Sequence, residues 1–149
     1  MRKADDRIML IVLSLFILTM FMGCSGKNNV KDAFSIEQFE NEMKAKNYNF
    51  EIKDVEKDFL PTTRKRMIIG NEVVDIYLFS NNKKMEKEAK CIDSGGNVYS
   101  DGSKVTDVSW PSPPRFYKRG SIIVQYIGGN EKIISDLKDI LGEHFAGGE

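Results

Sequence analysis

Two stretches of the chain carry the same pattern: RMIIGNEVVDIYLFSNNKK from Arg66 and RFYKRGSIIVQYIGGNEK from Arg115. Each has a short apolar arm, a glycine-bearing break, a longer arm rich in β-branched and aromatic residues, and then asparagine before a helix-like stretch. Such arms around a glycine break are β-hairpins. Met67–Ile69 and Val73–Phe79 flank Gly70-Asn71; Phe116-Tyr117 and SIIVQYI flank a turn at Arg119-Gly120. A chain with two hairpins is committed to antiparallel pairing, because a two-residue turn cannot join parallel strands. At a shift of 49, Arg66/Arg115, Tyr77/Tyr126, Asn81/Asn130 and Lys83/Lys132 coincide, whereas matching Asp75 with Gln125 needs a shift of 50. The segments are either two generic hairpin–helix units or a duplicated ββα unit spanning about 65–92 and 114–141.

The flanking segments complete the layout. Ser35 with Gln38 forms a capping box for a helix from Phe34 to Asn47, with Ile36, Phe39 and Met43 on one stripe. Tyr48 to Lys53 alternates as a half-buried strand, and Pro61 argues for irregular chain between Asp54 and Thr63. Ser80 is placed to cap a helix running to about Ile92, with Met85 and Ala89 on its stripe. Asn130 caps a last helix carrying Ile133, Leu137, Ile140 and Leu141, and Gly142 ends it. Between them, Asp93 to Pro114 is punctuated by Gly and Pro, with short strands at Val98-Tyr99 and Val105–Trp110. The tail AGGE reads as loose. The expected fold is α+β: a two-layer sandwich of a mainly antiparallel sheet with helices on one face.

The N-terminus speaks to location. Arg2, Lys3 and Arg7 precede an apolar run, Ile8–Met22, interrupted only by Ser14 and Thr19, and Gly23-Cys24 follows before the chain turns polar. That is the order of a secretory signal. The run has 15 residues, short of the about 20 a spanning helix needs. The stretch resembles bacterial lipoprotein signal peptides, in which a small residue precedes an invariant cysteine; Phe21 and Met22 depart from the residues usual there. The resemblance implies that the Cys24 thiol takes a diacylglycerol and that cleavage falls before Cys24. The expected organisation is a signal over 1–23, a polar tether over 24–33 and one domain over 34–149. An uncleaved signal anchor is the alternative. The whole layout is similar to that of small uncharacterised lipoproteins of Gram-positive bacteria, which implies a lipid-anchored place on the outer face of the cell membrane and no particular reaction.

Composition narrows the function classes. Lys+Arg and Asp+Glu both number 22, so no basic excess points to nucleic acid. With Cys24 lipidated, Cys91 is unpaired and no disulfide framework exists. One histidine, His144, and one free cysteine cannot build a Cys/His metal site. No metal or other cofactor is expected. Asp93–Asp101 lacks the acidic alternation of a calcium loop. Cys91 with His144 reads as a nucleophilic dyad or, more simply, as two packing residues. Arg64-Lys65-Arg66 with Lys83, Lys84 and Lys87 is a basic patch or a mixed solvated face, given Glu72, Glu86 and Glu88 between them. Trp110-Pro-Ser-Pro-Pro, followed by Phe116 and Tyr117, is the most binding-like stretch, since rigid aromatics give contact area at low entropy cost; the competing reading makes Trp110 a plug on the core. The function expected is a binding or interaction module for an envelope protein or wall ligand, with an envelope enzyme using the 93–103 region, or a structural subunit, as alternatives.

Overall fold

The computed structural model describes residues 34–148. The expected signal, Cys24 and the expected tether lie outside the described residues. Helix α1 (Ile36–Ala45) begins at the expected capping box: the Ser35 N–H donates to Gln38 Oε1 at 2.7 Å. It buries Ile36, Phe39 and Met43. Asn47, at φ +65°, turns the chain out of the helix in the left-handed conformation its side chain tolerates.

Strands β1 (Glu51–Val55), β2 (Thr63–Ile69) and β3 (Glu72–Leu78) follow, then helix α2 (Asn82–Ala89), the short strands β4 (Val98–Ser100) and β5 (Val105–Asp107), strands β6 (Pro114–Arg119) and β7 (Ile122–Ile127), helix α3 (Glu131–Leu141) and β8 (Ala146–Gly147). Six strands form one sheet in the order β1-β2-β3-β7-β6-β8, with every neighbouring pair antiparallel; β4 and β5 pair separately. The α+β class and the antiparallel sheet are those the sequence implies.

Both expected hairpins form. Gly70 and Gly120 take φ of +60° and +58° at the first turn position, where the mirror-image turns of tight hairpins favour glycine. The second turn is Gly120-Ser121, one residue beyond the expected Arg119-Gly120, because Arg119 pairs with Ile122. The hairpins therefore correspond at a shift of 50. Asp75 pairs directly with Gln125 where β3 meets β7, so the local two-fold of the sheet passes through those two residues.

The correspondence stops where the strands end. Asn81 and Asn130 cap their helices through side-chain oxygens that accept from Lys84 N and from Lys132 N and Ile133 N. They are 49 apart, so the second connector is one residue shorter. Successive residues of extended chain face opposite sides, and the helices leave to opposite sides. Helix α3 packs with α1 on the face of Val74, Ile76, Tyr117, Val124 and Tyr126. Helix α2 packs through Met85 and Ala89 on the face of Tyr77, Phe116 and Ile123, alongside Tyr99 of β4. A single helical layer thus describes α1 and α3 only, and the repeated unit is the hairpin rather than ββα. The tail departs from its reading as well. β8 pairs with β6, and Ala146 is buried, because the β6 edge offers unpaired backbone groups that the returning chain satisfies.

On the face shared by α1 and α3, Asp136 ties α3 to the segment after α1. It accepts hydrogen bonds from Tyr48 Oη at 2.7 Å and Lys132 Nζ at 2.6 Å, and Lys46 Nζ lies at 3.1 Å. Burial raises its carboxyl, but the bonds from Lys132, Tyr48 and Lys46 outweigh that and bring it down to about 2.

Candidate functional site

The only buried polar or charged side chains on the α2 side of the sheet, among the described residues, are Asp75 and Gln125, at 7% and 2% exposure. They sit side by side in the two central strands. A buried carboxylate needs a partner, and β2 supplies one. Arg66, directly across from Asp75, donates from Nε to Oδ1 at 2.7 Å and from its terminal nitrogen to Oδ2 at 2.9 Å, a two-pronged ion pair. Asp75 holds Arg66 charged, above its ordinary value.

Two residues along β2, on the same face, Arg64 lies 3.5 Å from Asp75 Oδ2, pairs closely with Asp58 and donates from Nε to the Glu56 carbonyl at 2.9 Å. Asp58 also faces Tyr77, whose hydroxyl oxygen is 2.9 Å from Asp58 Oδ2 and 3.1 Å from Gln125 Oε1. Burial first, and then the Asp58 charge, push the Tyr77 hydroxyl well above its ordinary value, so it keeps its proton. It has one proton and two acceptor neighbours. The far end of the Gln125 amide finds no hydrogen-bond acceptor.

These residues border a recess of about 230 Å³ lined by Arg66, Val73, Asp75, Gln125 and Ile127. Val73 forms part of its rim at 38% exposure. The floor is the sheet itself, with ion-paired Arg66–Asp75 beside the Gln125 amide, and apolar side chains complete the lining. The charges in its lining balance: Arg66 stands against Asp75.

The structure places the sequence-derived candidates elsewhere. Phe116 and Tyr117 are adjacent in β6, so they point to opposite faces, and both are buried, at 0% and 1%. Together with Trp110 they do not make one surface. Tyr117 packs against His144 with its ring centre 6.0 Å away; its hydroxyl has no partner, and burial raises it. Trp110 is half-buried. Its ring stacks edge-on to Phe59 at 5.7 Å and Phe116 at 6.3 Å, and its indole N–H donates to the Gly96 carbonyl at 2.8 Å. Its remaining surface faces a cleft of about 380 Å³ lined mostly by the Gly95–Asn97 loop and Pro111–Pro114.

Cys91 lies beside α2, across the sheet from His144, and burial raises its thiol. Asp93 is occupied by its own loop: it accepts from the backbone N–H groups of Asn97 and Val98, each at 2.7 Å, and of Gly95 at 3.3 Å. Among the described residues no group of three His, Cys, Asp or Glu side chains is placed to hold a metal. The Arg64-Lys65-Arg66 run is divided by the strand pleat. Both arginines face Asp58 and Asp75, while Lys65 turns to the other side and pairs with Asp54 at 2.7 Å.

Asp58, Asp75 and Gln125 were not among the candidates drawn from sequence. The available signal was the single polar residue inside each long apolar arm, Asp75 in VVDIYL and Gln125 in IIVQYI, which correspond at the shift of 50. Compared with protein-family models, curated proteins and solved structures, the chain matches none of them.

Proposed function

We propose that this chain is a lipid-anchored binding module, held on the outer face of a cell membrane through Cys24, that engages a wall component or an envelope protein. The observation that carries this reading is Gly23-Cys24 directly after a charged end and a 15-residue apolar run. Nine residues separate Cys24 from Phe34, where the described residues begin. Two acyl chains on Cys24 would give stable attachment where one would not. Among the described residues no helix is long and apolar enough to cross a membrane, so an anchor made by the described part is not what this reading invokes.

Binding is favoured over catalysis by the state of the polar groups in the sheet. Asp58 and Asp75 are both held by arginines, and Tyr77 is locked in its protonated form. A general acid or base needs a proton that moves near neutral pH, and the Tyr77 hydroxyl keeps its proton well above that range.

The test is Cys24→Ala in a bacterial host. The unaltered protein should partition into the detergent phase and carry the added mass of a diacylglyceryl group; the variant should lose both. An unchanged mass and membrane fraction in the variant would end the proposal.

A further inference from the structure

The recess over the Asp75–Gln125 pair carries an inference that goes beyond membrane anchoring and does not depend on it. We propose that this recess binds a single ring of a neutral, polyhydroxylated ligand, a sugar unit, between the Arg66–Asp75 pair and the Gln125 amide.

Four observations lead to that chemistry. The first is the buried amide. The Tyr77 hydroxyl can donate to Asp58 or to Gln125 but not to both. When it donates to Asp58, Gln125 must turn its amino group toward Tyr77, and its carbonyl becomes the far end. When it donates to Gln125, the amino group becomes the far end. Gln125, at 2% exposure, lines the recess, and its Nε2 has no hydrogen-bond partner among the described residues. A ligand hydroxyl satisfies either orientation, since it both donates and accepts; a carboxylate or an ammonium satisfies only one.

The second observation is the edge of the ion pair. Arg66 engages Asp75 through Nε and one terminal nitrogen, which leaves further N–H donors of the fork and further carboxylate lone pairs beside one another. Adjacent hydroxyls on a ring present donor and acceptor at a spacing that suits such paired, planar groups.

The third is neutrality. Arg66 and Asp75 are the charged residues of the lining and neutralise each other, so a net charge on the ligand would meet no unpaired counter-charge. The fourth is size and walls. At about 230 Å³ the recess falls below the roughly 300–1,000 Å³ of pockets for drug-sized ligands. Val73 and Ile127 offer apolar surface to the C–H face of a ring.

The experiment uses the full-length protein in a zwitterionic, sugar-free detergent, titrated by saturation-transfer NMR. The probes are D-glucose and N-acetyl-D-glucosamine, with acetate and methylguanidinium as charged counterparts. At least one sugar should saturate, and neither ion should. Gln125→Met, of similar volume and without the amide, should weaken sugar binding at least about tenfold. Val73→Trp fills the recess from its exposed rim and leaves the buried groups untouched, so it should abolish binding without lowering the thermal midpoint; it decides the matter if Gln125→Met fails to fold. Failure of both sugars to saturate, binding of acetate or methylguanidinium in their place, or sugar binding undiminished in Val73→Trp would each overturn the proposal.

Discussion

The two hairpins share a backbone and differ in what they present on the α2 side of the sheet. At the shift of 50 set by their turns, Arg64 corresponds to Pro114, Arg66 to Phe116, Val73 to Ile123 and Asp75 to Gln125. The second hairpin offers Phe116 and Ile123, both at 0% exposure, beneath α2, Trp110 and Phe145. The first offers an arginine–aspartate lattice and leaves Val73 at the surface. Apolar strand surface is stable only when covered, so the second hairpin recruits layers over it. A satisfied ion pair can remain partly open to water. One backbone pattern thus yields a core on one side of the local two-fold and a recess on the other.

The sharpest way to break this comparison is to exchange the fates of the paired positions 66 and 116. Phe116→Ala deletes a fully buried ring that meets Phe59 at 6.0 Å and Phe145 at 6.3 Å. It should cost about 3–5 kcal/mol in urea denaturation. Arg66→Met at the matching position removes a partner from Asp75, but Arg64 remains 3.5 Å away and the Arg66 side chain is 36% exposed. Its cost should be about 1–2 kcal/mol. Equal costs at the two positions would show that both hairpins are core and that no open site separates them.

Trp110 tests the cover itself. Trp110→Ala removes a half-buried ring and the bond to the Gly96 carbonyl, and should destabilise the domain by about 2–3 kcal/mol. Sugar binding at the recess should be unchanged, because the indole packs on Phe59 and Phe116 and takes no part in lining the recess. A variant as stable as the parent would return Trp110 to the role of an exposed contact residue.

Much of this architecture is written locally, and the site is not. Capping boxes, asparagine caps and glycine turns depend on neighbours within four residues, which is why α1, α3 and both hairpins follow from sequence. The cap of α2 is Asn81 rather than the neighbouring Ser80: either residue type can serve, and it is the Asn81 side chain that accepts from Lys84 N. The side from which a helix approaches depends on the parity of a connector, and a difference of one residue there reverses it. The recess requires β3 to pair with β7 across an interval of about 50 residues, and no local pattern specifies that pairing. Trp110, Phe116 and Tyr117 drew attention as aromatics near prolines, yet the pleat alone assigns Phe116 and Tyr117 to opposite faces. Asp75 and Gln125 look like interruptions in apolar arms until the register puts them together.

The smallest expected effect sharpens the comparison on the helices that follow the hairpins. Each carries one carboxylate bound by a distant tyrosine: Glu88 of α2 accepts from Tyr99 and Asp136 of α3 from Tyr48, each at 2.7 Å. Only Asp136 also has two lysines, and its carboxyl is held down at about 2 against an ordinary value near 3.9. A folded-state value below the unfolded one contributes stability above the unfolded value, and that contribution is lost as pH falls through the window from about 4 to about 2. Asp136→Asn should therefore cost about 1–2 kcal/mol at pH 7, and the gap between variant and parent should close as the pH approaches 2. Denaturation at a series of pH values measures this directly. A gap that stays constant below pH 4 would mean that Asp136 acts through its shape and neutral hydrogen bonds, and that α3 is held over its hairpin by packing in the same way as α2.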